Sequence, residues 1–244
     1  MTTPVKTAVL LAAGRGTRMK HLTEDVPKPM LPVAGRPLLE HIVVALRAAG
    51  VERFVAVVGY QAERIESHFG DGSALGVSIV YRRQTVQDGT ARALLLARDA
   101  ADGAPFVLGW GDILTDRANY PRLIGRFDEG DVALVLAVNR VEDPCKGAAV
   151  YADPDGRITK IVEKPPPGTS TTHWNNAGIA VASPEMFGYL ERVGKSPRGE
   201  YEIPDAVSAM IATGEKLVAV PLEGPWLDVG TPDDLARAEA YLGK

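Results

Sequence analysis

The sequence predicts an α/β protein built on a mostly parallel, doubly wound sheet. Apolar runs of strand length at 8–13, 53–58 and 77–82 alternate with helical patterns at 37–49 and 61–69. Such alternation is typical of parallel strands that are joined by helices on both faces of the sheet. Ligands of these sheets bind beyond the carboxyl ends of the strands, so the loop after each strand is a candidate for a functional site.

The first predicted helix, at 37–49, has one apolar face. Pro37 stands at its start and Gly50 at its end, as is common at helix boundaries. The apolar stripe consists of Leu38, Leu39, Ile42, Val43, Leu46 and Ala49. This spacing predicts a helix that packs its apolar face on the sheet.

The rest of the chain continues the alternation of strands and helices, and a hairpin interrupts it. Two short strands, at 148–151 and 158–162, flank turn residues at 152–156 and predict a hairpin. The other predicted elements are a helix at 91–101, strands at 105–108 and 131–138, a helix that Ser183 caps and that runs to about Val193, a helix at 206–212, a strand at 216–221 and a last helix capped by Thr231.

Composition excludes several classes of protein. Hydrophobic residues make up 45% and charged residues 24% of the chain, which is ordinary for a globular protein. No apolar run has the length of a membrane span and the N-terminus lacks a secretion signal, so we expect a cytoplasmic protein without a membrane partner. Cys145 is the only cysteine, which excludes an intrachain disulfide, and the histidines show no zinc-ligand spacing.

Positive charge is concentrated in one loop of an otherwise acidic chain. The formal net charge is −4, which argues against a nucleic-acid partner. The strand at 8–13 opens into Gly14 and Gly16, and Arg18 and Lys28 follow. Glycine lets backbone N–H groups approach a polyanion, while arginine and lysine bind phosphate oxygens. The loop therefore predicts a phosphate site.

Two common glycine loops do not fit this segment. The dinucleotide fingerprint requires a third small residue where this chain has Met19, and the P-loop requires a Gly-Lys-Ser/Thr that is absent. A dinucleotide-dependent dehydrogenase, the first alternative considered, is disfavoured for that reason.

The segments AAGRGTRM at 12–19, LT at 22–23 and PKPML at 27–31 closely resemble the signature of the sugar-1-phosphate nucleotidyltransferases. The resemblance extends from Ala8 to about Leu242. It implies the Rossmann-like nucleotide-diphospho-sugar transferase fold with a small β-rich, sugar-binding insertion. We expect a single domain at 1–244, in which 1–140 mainly binds nucleotide and 141–244 mainly binds sugar and supplies a second metal ligand.

The absence of hexapeptide repeats predicts that no acyltransferase β-helix accompanies this domain, unlike in some relatives.

The same resemblance implies the nucleotide-binding residues. They are Ala13, Gly14, Gly16 and Thr17 in the first loop, and Gln87, Gly89 and Thr90 in the segment QDGT. A side-chain amide offers both a donor and an acceptor, which suits the edge of uracil or thymine. Taken alone, QDGT is also a favourable turn, and that interpretation stays open at this point.

Two aspartates are implied to be metal ligands. Asp112 follows a buried strand, and Asp228 lies between an aromatic residue and Gly230. A carboxylate at a strand end suits Mg²⁺, which takes a few carboxylate and phosphate oxygens and keeps several waters. For Asp112 the alternative is a Gly-Asp turn without a ligand.

The sugar-phosphate residues are implied by elements in the second half of the chain. They are Gly147, Glu163, Lys164, Asn176 and Glu200. Carboxylates and amides can hydrogen-bond to sugar hydroxyls, and glycine leaves room for the ring. Beside a proline-rich loop, Glu163 and Lys164 are equally consistent with a solvated surface pair.

The resemblance implies an enzyme that transfers a nucleotidyl group to a sugar 1-phosphate with Mg²⁺ as cofactor. Arg18 and Lys28 would be catalytic, because such chemistry depends on alignment and charge neutralisation. UTP or dTTP is favoured over CTP or GTP, with glucose 1-phosphate or N-acetylglucosamine 1-phosphate as acceptor. A catalytically silent regulatory subunit of the same fold is the alternative from another class. A homo-oligomer is compatible with the sequence, which specifies no oligomeric state.

Overall fold

The computed structural model describes residues 3–243, and the side chains of Lys20 and His21 are not described. The strands, in chain order, are β1 Thr7–Ala12, β2 Pro32–Val33, β3 Arg36–Pro37, β4 Arg53–Val58, β5 Ser78–Arg83, β6 Phe106–Trp110, β7 Ile113–Thr115, β8 Leu134–Arg140, β9 Ala148–Ala152, β10 Ile158–Glu163, β11 Trp174–Ala182, β12 Leu217–Pro221 and β13 Trp226–Asp228. The α-helices are α1 Leu38–Ala48, α2 Ala62–Phe69, α3 Thr90–Leu95, α4 Arg98–Ala101, α5 Asn119–Asp128, α6 Met186–Leu190, α7 Ile203–Ala212 and α8 Pro232–Leu242. Short 3₁₀ helices lie at Thr17–Thr23, Lys28–Met30, Ser73–Leu75 and Pro144–Lys146.

One nine-stranded sheet forms the centre of the fold. Its order is β10-β9-β11-β6-β1-β4-β5, and β8 pairs with both β11 and β12. Strands β5, β4, β1 and β6 are parallel, whereas β11 is antiparallel to β6. The predicted α/β class with a largely parallel core is confirmed. The predicted hairpin is β9 and β10, and it joins the sheet through β11.

Side chains of β1 point alternately to two apolar cores, one on each face of the sheet. Ala8, Leu10 and Ala12 belong to the core formed with α1, α2 and α5. Val9 and Leu11 belong to the core formed with α3, α4, α6 and α7. Helices therefore cover both faces, as predicted.

Strand β11 links the parallel core to the hairpin. Its residues 179–182 pair with β6, and β8 pairs with its residues 174–176 and 180–182. The register shifts between Asn176 and Ala180, and Gly178 has a φ of +75°. Glycine at 178 lets the bulge pack closely against Ile113, because a Cβ at this position would overlap that side chain.

Two predicted helices differ from the structure at their ends or interior. The helix predicted at 91–101 is divided into α3 and α4, because the N–H groups of Leu96 and Ala97 bond to carbonyls three residues earlier. Helix α7 begins at Ile203 instead of Ala206, since Pro204 fits the first turn.

The predicted side-chain cap at Ser183 is wrong. Helix α6 starts at Met186, after a backbone turn in which the Met186 N–H donates to the Ser183 carbonyl at 3.2 Å. The buried hydroxyl of Ser183 has no hydrogen-bond partner among the described residues. By contrast, the predicted cap at Thr231 is confirmed, and it forms a capping box with Asp234.

The sequence reasoning did not identify α5, β7 or β11. Helix α5 does carry a readable signal, because Tyr120, Leu123, Ile124 and Phe127 are buried at helical spacing. Strand β7 is three residues long and pairs with β13, so it holds the segment after β6 beside the segment that ends at Asp228.

Every helix within residues 3–243 is too short or too polar to cross a membrane.

Candidate active site

The candidate active site lies where β1 and β6 end, at the carboxyl edge of the parallel strands. The N–H of Gly111 donates to the carbonyl of Leu11 at 2.9 Å, which holds the loop after β6 beside the loop after β1. Together they border a cleft of about 250 Å³. Its lining residues are Leu11, Ala12, Gly14, Gly16, Thr17, Arg18, Lys28, Pro29, Gly111 and Asp112.

Lys28 is a buried cation at the floor of this cleft. Its Nζ lies 2.5 Å from Asp112 Oδ2 and 3.8 Å from Asp228 Oδ1. Only 6% of the residue is exposed. Pro27 and Pro29 flank it in a short 3₁₀ helix, so the backbone is restricted on both sides and the side chain has a defined direction.

Gly16 is required by the position of Lys28. Its φ is +66°, and a Cβ there would lie 2.9 Å from the Cβ of Lys28. The carbonyl of Gly16 accepts hydrogen bonds from the Met19 N–H at 2.9 Å and from Thr23 Oγ1 at 3.1 Å. Gly14 differs, because no described atom lies within 4 Å of the position that a Cβ would take. The backbone of Gly14 is thus open to a ligand.

Asp228 is positioned by pairing of its short strand. It lies opposite Ile113 in the β7–β13 ladder, and the N–H of Val229 donates to the carbonyl of Asp112 at 3.0 Å. Burial raises the pKa of the Asp228 carboxyl, the charge of Asp112 raises it further, and the cations of Lys28 and Arg18 oppose this shift. The two carboxylates therefore share one electrostatic environment.

Arg18 lies on the exposed side of the same cleft. Its guanidinium packs against Gly230, where a Cβ would lie 3.2 Å from an Arg18 nitrogen. Glycine at 230 therefore leaves room for the Arg18 guanidinium. Arg18 is a second cation close enough to act on the carboxyl of Asp228.

The structure joins the QDGT segment to the glycine loop. Gln87 Nε2 donates to the carbonyl of Ala13 at 3.1 Å. That carbonyl also accepts the N–H of Tyr60 at 3.3 Å. Gln87 is consequently held at the end of β1, beside the cleft.

Gly89 and Thr90 have structural partners that the sequence did not indicate. A Cβ at Gly89 would overlap the backbone of Tyr201, and φ is +128°. The N–H of Tyr201 donates to the carbonyl of Asp88 at 2.9 Å, and the N–H of Ile203 donates to Thr90 Oγ1 at 3.1 Å. In this structure the close approach that Gly89 permits is made by Tyr201, so a base contact at Gly89 stays a prediction.

The predicted sugar-phosphate residues form a second group around β9, β10 and β11. A Cβ at Gly147 would overlap the amide of Asn175, and the Gly147 carbonyl accepts the N–H of Lys164 at 2.7 Å. Lys164 has a φ of +41°, unusual for a residue with a Cβ. Asn176 Oδ1 accepts the N–H of Gly178 at 2.9 Å, which closes the bulge.

Glu163 lies in a carboxylate cluster that Arg198 bridges. Arg198 is 3.6 Å from Glu163 Oε1 and 3.1 Å from Glu202 Oε1. Glu202 is only 3% exposed, and it also accepts from Ser196 Oγ at 2.7 Å. Burial raises the pKa of Glu163 to about 7, the charge of Glu202 adds to the shift, and Lys164 and Arg198 oppose it.

Glu202, not Glu200, is the buried carboxylate of the RGEYE segment. Glu200 is half exposed and lies 3.4 Å from Arg198, on the outer side of the segment. The sequence prediction named Glu200, whose contact with the sugar phosphate stays a prediction, and did not single out Glu202. In an extended segment residues two apart face the same side, so the spacing of the two glutamates does not predict that one is buried and the other exposed.

Tyr60 and Gln61 are further residues near the cleft that the sequence did not single out. Tyr60 Oη and Gln61 Nε2 each donate to the carbonyl of Glu24 at 2.8 Å. The guanidinium of Arg15 lies 5.1 Å from the centre of the Tyr60 ring. These contacts fasten the loop between Gly14 and Lys28 to the end of β4. Gln61, which lies between β4 and α2, has a φ of +50°, a strained conformation for a residue with a Cβ.

Replacing Glu163 with glutamine is expected to change how stability depends on pH. The pKa of the Glu163 carboxyl is raised from 4.5 to about 7, so the folded protein binds this proton more tightly than the unfolded chain does. The resulting stabilisation is fully present below pH 4.5 and is lost as pH rises through 7. The loss amounts to about 3 kcal/mol. Urea unfolding at pH 5 and pH 8 should therefore show a smaller decline for Glu163→Gln than for the wild type. Glu200→Gln is the matched control and should keep the wild-type decline; equal declines in all three proteins would contradict the assignment.

Comparisons with known proteins identify the family to which the chain belongs. A sequence profile of the nucleotidyl transferase family matches residues 7–244. The UTP–glucose-1-phosphate uridylyltransferase AglF of Haloferax volcanii is 37% identical over 96% of this chain and 96% of its own length. The bifunctional protein GlmU of Methanococcus maripaludis is 35% identical, and the chain spans about half of it, 54%.

Solved structures show the same fold. A Bacillus anthracis protein described as a glucose-1-phosphate thymidylyltransferase, crystallised with sucrose, superposes with a TM-score of 0.88. The match covers 98% of this chain and 96% of that chain, at 27% sequence identity. On the profile match, the relative that spans the whole chain and the shared fold, the protein is a member of the nucleotidyl transferase family.

Proposed function

We propose that the protein transfers a nucleotidyl group from UTP or dTTP to a sugar 1-phosphate, with glucose 1-phosphate or N-acetylglucosamine 1-phosphate favoured. The products are a nucleoside-diphosphate sugar and pyrophosphate. The observation that carries this proposal is the position of Lys28 between Asp112 and Asp228, at the floor of a cleft edged by the glycine loop.

The chain's own groups contribute to positioning and to charge neutralisation. An oxygen of the sugar phosphate attacks the α-phosphorus, the bond from that phosphorus to the bridging oxygen of the β-phosphate breaks, and pyrophosphate leaves. Lys28 stabilises charge on the phosphate oxygens between donor and acceptor, and Arg18 stabilises the departing pyrophosphate. Such chemistry requires no covalent protein intermediate.

The donor set suits Mg²⁺. Asp112 and Asp228 provide two carboxylates held by the β7–β13 pair. Within residues 3–243 no third histidine, cysteine, aspartate or glutamate joins them to complete a protein-only cage. Mg²⁺ typically takes one or two carboxylates and fills its remaining positions with water and substrate phosphates. When bound, it would neutralise phosphate charge.

The relatives support the choice of substrates. AglF is named for UTP and glucose 1-phosphate, and the Bacillus anthracis protein is described as a thymidylyltransferase acting on glucose 1-phosphate. We carry the pyrimidine nucleotide and the glucose-type acceptor to this chain on that basis. Glu163 and Asn176 would then contact sugar hydroxyls, and Lys164 the sugar phosphate.

A pyrophosphate-release assay tests the proposal. UTP, dTTP, CTP, ATP and GTP are each combined with glucose 1-phosphate, N-acetylglucosamine 1-phosphate and other hexose 1-phosphates in the presence of Mg²⁺. The expected result is release that depends on both substrates and is fastest with UTP or dTTP. Binding of nucleotide sugar without any release would instead favour the silent regulatory subunit.

The carboxylate pair yields a second test. Removing metal with EDTA should abolish turnover, and Mg²⁺ should restore it. Asp112→Asn and Asp228→Asn should each raise the Mg²⁺ concentration needed for half-maximal rate, because an amide keeps the shape but not the charge that a hard cation requires. Asp233→Asn, an exposed aspartate in the first turn of α8, is the control. An effect of only one of the two variants would contradict shared ligation.

A further inference from the structure

Lys28 occupies the place where a cation between the two aspartates is expected. Its ammonium contacts Asp112 at 2.5 Å and stands 3.8 Å from Asp228. The side chain of Lys28 is 8% exposed, against 25% for Asp112 and 41% for Asp228. The lysine is therefore more deeply buried than either carboxylate that it neutralises.

We propose that Lys28 is the internal counter-ion of this carboxylate pair in the free protein and thereby weakens the binding of a divalent cation until a nucleotide polyphosphate is present. This inference rests on the proposed function of Asp112 and Asp228. It adds a second duty to Lys28, which controls when the metal binds as well as stabilising phosphate.

Charge balance supports the inference. Two carboxylates and one ammonium carry a net charge of −1, and the nearby guanidinium of Arg18 reduces the negative charge further, which leaves a weak attraction for a strongly hydrated dication. The ammonium also repels that dication across a few ångströms in a partly buried site, where unit charges interact strongly. Without a further protein carboxylate in the described chain, phosphate oxygens are needed to complete the ligand set.

The surroundings of Lys28 also limit where it can move. Its Cβ lies close to Gly16, and its backbone is held between Pro27 and Pro29. The cleft that Lys28 lines is also bordered by Gly14 and Arg18. A polyphosphate in that cleft offers Lys28 a second anion, so arrival of the nucleotide frees Asp112 for the metal.

The test measures metal affinity without turnover. Mn²⁺ is titrated into nucleotide-free protein, and unbound Mn²⁺ is followed by electron paramagnetic resonance. The wild type should bind weakly, and Lys28→Met and Lys28→Gln should each bind at least ~10-fold more tightly, because a repelling unit charge is gone. The gain should disappear in Lys28→Met/Asp228→Asn. Lys6→Met, which alters an exposed lysine paired with Glu52, should match the wild type.

The outcomes separate this inference from the proposed function. Circular dichroism verifies that each variant is folded, and the glutamine variant retains hydrogen-bonding capacity if methionine proves unstable at this site. Wild-type protein that releases pyrophosphate but binds Mn²⁺ as tightly as both folded Lys28 variants would overturn the counter-ion role alone. Absence of pyrophosphate release with every nucleotide would overturn the proposed function, whatever the Mn²⁺ titrations show.

Discussion

Lys28→Ala is expected to lower kcat/KM for pyrophosphate release by at least ~10²-fold, the scale of losing one preorganised charge-stabilising donor. The lysine is buried, its backbone is restricted by two prolines, and its Nζ is 2.5 Å from Asp112. A cation held in this way costs little reorganisation when charge develops on the phosphates. The measurement is steady-state kinetics with UTP or dTTP and glucose 1-phosphate.

The control for Lys28→Ala addresses charge and folding separately. Lys6→Ala removes a positive charge of the same type from an exposed pair with Glu52 and should leave the rate unchanged. Lys28→Ala leaves Asp112 and Asp228 without their shared cation, so thermal unfolding is compared in parallel. Activity of a folded Lys28→Ala within a few-fold of the wild type would remove Lys28 from the catalytic machinery.

The parallel core could be predicted because each strand and helix carries its own signal. Strand β1 is a continuous apolar run, and α1 has a single apolar stripe bounded by proline and glycine. These signals are local, so they do not depend on which elements become neighbours. The same holds for Thr231, whose capping box lies within four residues.

Strand β11 could not be predicted in this way. Its sequence, WNNAGIAVA, contains asparagines and a glycine that are typical of a turn. The structure uses them for a bulge at Asn176 and Gly178, while the apolar half pairs with β6. A turn signal inside a strand is resolved only by the partner strands.

The residues of the candidate site also divide into those with a local sequence signal and those set by long-range contacts. The glycine loop and Asp112 follow strand ends, and Lys28 lies in the PKPML motif, so these residues could be identified from the sequence; the structure brings them into one cleft. The close packing of Gly89 against Tyr201 depends on a contact 112 residues away in the sequence, and the burial of Glu202 depends on the same long-range packing. Such long-range packing leaves no pattern in a single sequence.

The base preference is expected to be the largest effect, with UTP and dTTP used up to ~10⁴-fold better than ATP or GTP. A site built to hydrogen-bond one base edge rejects a base that leaves its polar groups unpaired by such a margin. Gln87 is held at the cleft by its bond to the Ala13 carbonyl, and its amide can both donate to and accept from uracil or thymine. The methyl group that separates the two bases is worth only about 1–3 kcal/mol in a pocket, so measurable use of both is expected.

Gln87→Ala should reduce this preference more than it lowers the best rate, which kcat/KM measured for each nucleotide will reveal. Gln84→Ala is the matched control, because Gln84 Nε2 donates to the Gly89 carbonyl at 3.3 Å and supports the same segment. If Gln84→Ala erodes selectivity as much as Gln87→Ala, the effect comes from the shape of the loop and not from a contact with the base. A wild-type preference for ATP or GTP, or unchanged selectivity in Gln87→Ala, would show that the QDGT segment serves only as a turn that receives Tyr201.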